Sequence, residues 1–253
     1  WGVGASVMRL NGFTYLVGSG RNGFDLTDPT DCHVYLLDGG TEAALVDCGA
    51  GLSVSKIVEN VKGSGVPWER VRYVILTHSH ADHAGGALEL RQRYGLQVIA
   101  SKKTAQRLAE DAEPDGGLEM GIKAGWYPRD YRLNPCPVDW TVEEGFRIQV
   151  GSLTLEVMET PGHSPDHISL LIQKDGLTHL FGGDLLFHGG KVALLSSPDC
   201  HWQDYIASLR RLRQVRIDAL YPWHNLITLQ YAQRHVVKAN QYLDNLSVPP
   251  SVW

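Results

Sequence analysis

The 253-residue sequence lacks the features of a membrane-spanning or nucleic-acid-binding protein. Its apolar runs, such as residues 74–76 and 168–172, are interrupted far short of the roughly 20 apolar residues that cross a bilayer. No stretch gathers five or six like charges, and the formal net charge of −5 at pH 7 disfavours binding to a phosphate backbone. The sequence therefore predicts no membrane and no nucleic-acid partner.

Cysteine is also scarce. The four cysteines, at positions 32, 48, 136 and 200, form no C-x-x-C pair and no dense framework, although their even number permits two bridges. In a chain of this length the distribution predicts mostly buried thiols and favours a reducing, cytoplasmic compartment. Because no Pro/Gly/Ser-rich linker or low-complexity tract divides the chain, a single domain over residues 1–253 is predicted.

Short β-rich runs alternate with amphipathic helical patterns along the chain. In the first half the patterns predict a hairpin at 32–47, helices at 53–61 and 87–94, strands at 71–77 and 96–100, and then a helix and long loop at 101–140. In the second half they predict strands at 147–150, 153–159, 168–173, 178–181 and 217–221, with helices at 204–215 and near 228–243. Two strand-rich halves with helices outside predict an α/β fold, a four-layer αβ/βα sandwich.

The densest group of reactive side chains lies in the segment THSHADHAGG, residues 77–86. In an extended segment residues two apart point the same way, so His78 and His80 are expected to reach one metal ion. The segment is predicted as a loop between the strand at 71–77 and the helix at 87–94. Asp82 and His83 follow the turn of this loop and are expected to face a second ion. Imidazole nitrogen and carboxylate oxygen are ligands of zinc and other first-row divalent metals. This spacing favours a metal site over a simple helix cap.

Three further candidate ligands each follow another predicted strand. His163 lies in the segment TPGHSPDH, Asp184 ends the segment FGGD, and His224 lies in the segment YPWHN. Each signal alone is weak, because a lone histidine or a Gly-Gly-Asp turn is more often structural. Ligand sites of α/β sheets collect at strand ends, so the three are predicted to complete the site.

Together the seven candidate ligands resemble those of the metallo-β-lactamase superfamily. The resemblance implies an αβ/βα sandwich with metal ions in the cleft between two sheets. It implies one ion held by His78, His80 and His163, and a second held by Asp82, His83 and His224. It also implies that Asp184 bridges the two ions. The β-lactamases proper lack this bridging carboxylate, so the sequence resembles the glyoxalase II and lactonase-like branches more closely.

The ligand set predicts a binuclear, metal-dependent hydrolase acting on a small molecule. Two divalent ions, zinc first and iron or manganese as alternatives, would share a hydroxide that attacks a lactone, ester or thioester carbonyl. Asp82 is the candidate catalytic residue, because a second oxygen would orient the hydroxide and pass its proton to the leaving group. An iron-dependent, persulfide dioxygenase-like oxidation and β-lactam hydrolysis stay open as alternatives, and so does the oligomeric state.

Residues outside the ligand set have less certain roles in the sequence. His167 would either donate to a carboxylate behind the metal ligands or serve as a structural histidine. Cys48 is interpreted as a small buried residue. Several aromatic and basic side chains are candidates to line a substrate cleft, although core packing is the simpler interpretation of the aromatic ones: Trp126, Tyr127, Tyr131, Phe187, His188, Lys191, Trp202 and Trp223.

Overall fold

The computed structural model describes residues 6–109 and 116–253. The chain divides into a first unit, Trp1–Val142 with Gln149–Leu153, and a second unit, Glu143–Ile148 with Thr154–Trp253. Among the described residues, no helix has the length and apolar character that crossing a bilayer requires. The four cysteines are free thiols and three of them are buried, as the sequence predicts.

A seven-stranded sheet forms the framework of the first unit. Its strands lie in chain order: β1 (Met8–Arg9), β2 (Thr14–Gly18), β3 (Val34–Asp38), β4 (Ala43–Val46), β5 (Val71–Ile75), β6 (Gln97–Ser101) and β7 (Trp140–Val142). The strands from β1 to β4 pair antiparallel, and those from β4 to β7 pair parallel. The change occurs where helical crossovers replace hairpins. Strands β1 and β2 were not predicted.

Helices connect the parallel strands of the first unit: α1 (Val54–Gly63), α2 (Ala81–Ala84), α3 (Ala87–Tyr94), α4 (Lys102–Arg107) and α5 (Gly116–Lys123). Helix α1 buries Val54, Ile57, Val58 and Val61, which is the predicted apolar face. The prediction of one helix and a long loop at 101–140 is wrong, because this region contains α4, α5 and β7. Residues 110–115 of it lie outside the described residues.

A five-stranded sheet builds most of the second unit, in the order β12-β11-β10-β9-β8. Its strands are β8 (Arg147–Val150), β9 (Leu153–Glu159), β10 (Ile168–Lys174), β11 (Leu177–Gly183) and β12 (Ala219–Pro222). Strand β10 pairs antiparallel with β9 and with β11, while β11 pairs parallel with β12. Strands β9, β11 and β12 therefore run in the same direction and end at the same edge of the sheet.

Helices α6 (Trp202–Leu212) and α7 (Gln233–Asp244) pack on this sheet through an apolar cluster that includes Leu180, Leu209 and Val236. The prediction that the last helix begins near residue 228 is wrong by five residues. Thr228 instead forms an antiparallel bridge with Leu220, and Tyr231 has a φ of 59°, which interrupts a helix.

Gly162 allows the loop after β9 to pack directly on α6. Its φ is 141°, and a Cβ at this position would lie 2.4 Å from Tyr205 Cα. Glycine is therefore required both by the backbone conformation and by the close approach of the helix.

We expect Gly162→Ala to lower the free energy of unfolding by about 3 kcal/mol or more, because both backbone strain and overlap with α6 oppose a Cβ. Gly176→Ala is the matched control: its φ is 76°, but a Cβ there meets nothing within 4 Å. The control should cost about 1–2 kcal/mol. Urea denaturation measures both, and equal losses would contradict the packing argument.

Candidate metal centre

The candidate ligands of the first unit follow strand β5. Residues 76–80 leave the strand, His80 is still extended with φ −59° and ψ 146°, and the short helix α2 then begins. Asp82 and His83 therefore lie on a helix, whereas the sequence analysis placed them in a loop. Strands β4 and β5 are parallel, so Asp47, just after β4, lies at the same sheet edge.

The structure brings the side chains of His78, His80, Asp82 and His83 together. The ring centroids of His78 and His80 are 4.5 Å apart, and those of His78 and His83 are 4.0 Å apart. His83 Nε2 lies 3.4 Å from Asp82 Oδ2. We call these four residues the first cluster. The guanidinium of Arg107 donates a 2.8 Å hydrogen bond to the Oγ of Ser79, the residue that separates His78 from His80 in the chain.

Asp47 orients two of the histidines. Its carboxylate accepts hydrogen bonds from Thr77 N at 2.7 Å, Thr77 Oγ1 at 2.6 Å and His83 Nδ1 at 2.8 Å. Because the Thr77 hydroxyl donates to Asp47, it accepts from His78 Nδ1 at 3.0 Å. Both imidazoles thus carry their proton on Nδ1 and direct the Nε2 lone pair the other way, as metal-binding histidines do.

Tyr127 contacts the only carboxylate of the first cluster. Its hydroxyl donates a 2.9 Å hydrogen bond to Asp82 Oδ1. Burial, and then the negative charge of Asp82, raise the pKa of Tyr127 well above its usual value, so the phenol stays protonated and acts as a donor.

Two cysteines lie beside the first cluster. The thiol of Cys32 groups with Asp47 and His83, an arrangement that could in principle hold a metal ion. Burial strongly raises the pKa of the Cys32 thiol, and His83 Nδ1 is already bonded to Asp47, so this group is a poor metal site. Cys48 is buried and its Sγ donates to His83 O at 3.1 Å, which agrees with its interpretation as a packing residue.

In the second unit the candidate ligands follow the ends of β9, β11 and β12. His163 Nε2 and His224 Nε2 each lie 3.5 Å from Asp184 Oδ2. One carboxylate oxygen therefore lies between two imidazole nitrogens. All three residues are buried, and we call them the second cluster.

Tyr205, on α6, holds the backbone that supports the second cluster. Its hydroxyl lies 2.6 Å from Asp184 O and 2.7 Å from Leu185 O, and it accepts from Ala193 N at 3.0 Å. The carbonyl of Ala193 in turn accepts from His163 Nδ1 at 2.8 Å, which directs the His163 Nε2 lone pair towards Asp184. Tyr205 was not singled out in the sequence, because neither its position nor its type marks a role.

Of the two roles considered for His167, the structure supports that of a structural histidine. Its Nε2 accepts a 3.0 Å hydrogen bond from Asp184 N, and its Nδ1 pairs with Thr160 Oγ1 at 2.8 Å. A Cβ at Gly183, whose φ is 57°, would lie 2.2 Å from His167 Nε2. The glycine before Asp184 is therefore needed for the histidine to reach the backbone.

The candidate lining residues fall into two groups. Phe187, Trp223 and Tyr131 are buried and belong to the packed interior, as the simpler interpretation holds. Trp126 is exposed and does not belong to that interior. Trp253 packs against His224 in an edge-to-face arrangement with ring centroids 5.0 Å apart, and it was not predicted because no spacing in the sequence connects the two.

The donor set fits divalent metal ions. Imidazoles with bonded Nδ1 atoms and carboxylates with oxygens within 3.5 Å of Nε2 atoms are the ligand types that zinc and neighbouring metals prefer. Imidazole lone pairs and carboxylate oxygens that lie within 3.5 Å of one another repel each other. A bound cation offsets this repulsion, so the arrangement is typical of metal ligands.

Residues 27–224 of the chain match the metallo-beta-lactamase superfamily. The chain is similar to a Caenorhabditis elegans "Beta-lactamase-like protein 2 homolog", with 27% identity over 84% of this chain and 61% of that protein. It is also similar to "Hydroxyacylglutathione hydrolase GloC" of Haemophilus influenzae, with 26% identity over 66% of this chain and 72% of that protein. The chain thus spans about three fifths of the first relative's length.

A solved metallo-beta-lactamase from Cronobacter sakazakii, a mutant of its HARLDQ motif, has a similar structure. The TM-score is 0.72 over 95% of this chain and 96% of that one, at 23% identity. The likeness shows a shared fold, an α/β sandwich with two mixed sheets, and confirms the predicted fold class.

We expect Asp47→Asn to weaken zinc binding by about 10–100-fold, since an amide cannot accept from both Thr77 and His83 as the carboxylate does. Asparagine tolerates the φ of 57° at this position, so the backbone is preserved. The control is Asp38→Asn, because among the described residues the Asp38 carboxylate accepts only from Gly40 N, in the β3–β4 turn. Competition with a chromogenic chelator measures the affinities, and equal values would contradict the role of Asp47.

Proposed function

Because the chain belongs to the metallo-β-lactamase superfamily, we propose that it is a binuclear metal-dependent hydrolase acting on a small-molecule carbonyl compound. The observation that carries this proposal is Asp184 Oδ2, which lies 3.5 Å from both His163 Nε2 and His224 Nε2. An oxygen between two imidazoles is where a carboxylate that bridges two ions belongs.

The proposed ligand assignment is the one that the family resemblance implies, and the single domain over residues 1–253 stays a prediction. His78, His80 and His163 would hold the first ion, and Asp82, His83 and His224 the second, with Asp184 between them. Zinc suits this set of nitrogen and oxygen donors, and iron and manganese are the alternatives. When bound, two such ions supply Lewis acidity and lower the pKa of water to near neutrality.

The residues of this chain would then position the reactants and move the proton. Asp82 is the proposed proton carrier. Its Oδ1 accepts from Tyr127, but a carboxylate oxygen has two lone pairs, so the same oxygen keeps one for a transferred proton. Burial of the ligand histidines excludes water from their far sides, which keeps their orientation fixed during turnover.

The substrate is proposed from the resemblance to glyoxalase II and lactonase-like enzymes and from the apolar surroundings of the second cluster. Trp253, an exposed side chain, lies beside His224 with ring centroids 5.0 Å apart, and the buried Phe187 packs on His224 at 6.5 Å. Aromatic neighbours favour a lactone, ester or thioester with an apolar acyl or ring portion. The cytoplasmic location expected from the cysteine content stays a prediction.

The binuclear proposal predicts two metal ions per chain in protein never exposed to chelator. Asp184→Asn should lower the affinity for the second ion, because an amide bridges two cations poorly. Asp175→Asn, in the distant β10–β11 turn, makes the same chemical change and should keep both ions. Elemental analysis measures the content. One filled site in the wild type would overturn the binuclear proposal.

The substrate proposal predicts that the zinc-loaded enzyme hydrolyses lactones, aryl esters or thioesters, cleaves β-lactams slowly and does not degrade nucleic acid. Asp82→Asn with both ions bound should lower kcat by about 100-fold or more, which also excludes a contaminating hydrolase. Near-normal turnover of this variant would refute the proton-transfer role.

A panel of substrates separates the alternatives. Efficient cleavage of carbapenems without lactone or thioester hydrolysis would show that the bridging carboxylate does not exclude β-lactamase activity. Oxygen consumption by an iron-loaded protein with a persulfide substrate would instead support the oxidative alternative.

A further inference from the structure

Tyr127 distinguishes the two oxygens of Asp82. Its hydroxyl donates to Oδ1 at 2.9 Å, whereas Oδ2 lies 3.4 Å from His83 Nε2. A carboxylate attached through one rotatable bond would otherwise present either oxygen, or both, to a cation. The hydrogen bond therefore selects one orientation of the carboxylate relative to the neighbouring histidine.

The tyrosine ring is itself firmly held. It stacks on Tyr131 with centroids 5.0 Å apart and an interplanar angle of 26°, a contact between the two rings that does not involve the Tyr131 hydroxyl. On another side, a Cβ at Gly121 would lie 3.0 Å from the Tyr127 ring, so α5 packs closely against it. These contacts preorganise the hydroxyl at Asp82.

The preceding residue is anchored as well. The Arg21 guanidinium donates to Trp126 O at 3.3 Å and lies 5.7 Å from the centre of the Trp126 ring. The segment that carries Tyr127 is thus tied to a second part of the first unit. Nothing in this arrangement requires a hydroxyl on Tyr127 for packing, so the hydroxyl has a role of its own at Asp82.

We propose that Tyr127 is a positioning residue that holds Asp82 in a one-oxygen binding mode for the second metal ion. The proposal rests on the ligand assignment given under the proposed function. Without the hydroxyl, Asp82 loses the contact that opposes rotation about its Cβ–Cγ bond, and Oδ2 is presented to the ion for less of the time. Second-ion affinity should fall, while the first ion, to which Asp82 is not assigned as a ligand, should be retained.

The test compares Tyr127→Phe with Tyr131→Phe. Both variants lose one phenol oxygen and keep the stacked rings, but the Tyr127 hydroxyl donates to Asp82, whereas the Tyr131 hydroxyl donates to Ala50 O. In titrations with Zn²⁺ against a chelator, Tyr127→Phe should bind the second ion about 10-fold more weakly, and Tyr131→Phe should bind both ions as the wild type does. Loading with Co²⁺ gives a second readout, because its visible spectrum reports the ligand geometry.

We expect the Co²⁺ spectrum of the second site to change in Tyr127→Phe and to be preserved in Tyr131→Phe. Identical affinities and spectra for Tyr127→Phe and the wild type would overturn the proposal, as would an equal loss in both variants, which would indicate general loosening of the stack. A wild type that binds one ion only would also overturn it.

Failure of the proposed function gives a different result. A wild type that binds two ions and hydrolyses nothing in the substrate panel, with second-ion loss confined to Tyr127→Phe, would refute the hydrolase proposal and leave the role of Tyr127 standing. Lactone or thioester hydrolysis with no effect of Tyr127→Phe on ion binding would do the reverse.

Discussion

A buried imidazole has two ring nitrogens, and each requires a partner when water is excluded. In the first unit Asp47 accepts the Nδ1 proton of His83 directly and fixes that of His78 through the Thr77 hydroxyl. In the second unit the carbonyl of Ala193 does the same for His163. Because Nδ1 is satisfied in this way, Nε2 presents its lone pair to the neighbouring carboxylate. The geometry of both clusters thus depends on groups that are not candidate ligands.

The candidate ligands could be predicted from the sequence because they lie at the ends of predicted strands. His163, Asp184 and His224 follow apolar strands that run in the same direction, so one sheet edge collects them from positions 61 residues apart. The apolar runs predict those strands, and polar residues at their ends stand out against them. Helix α3 also matches its predicted bounds, since Gly95 at a φ of 74° ends it.

The residues that orient the ligands were harder to predict, because their roles depend on partners that are distant in sequence. Asp47 acts on His83, 36 residues later, and Tyr127 acts on Asp82, 45 residues earlier. Both spacings exceed the length of any single helix or strand among the described residues, so no local pattern connects the partners. Helix α2 was missed for a related reason: its four residues are too few to show a helical period. The local sequence pattern therefore identifies the candidate ligands, while tertiary contacts determine how their side chains are oriented.

The buried hydroxyl of Tyr205 joins helix α6 to the backbone of Asp184 and Ala193, on both sides of the second cluster. Helix α6 also contributes Leu209 and Leu212 to the apolar core of that unit. A ligand that binds only the folded chain stabilises it by mass action. Metal ions bound at Asp184 and His163 would therefore stabilise α6 and its core as well. Free metal in the surroundings would then set how often this unit opens, so metal starvation would increase its exposure to proteases as well as remove its activity.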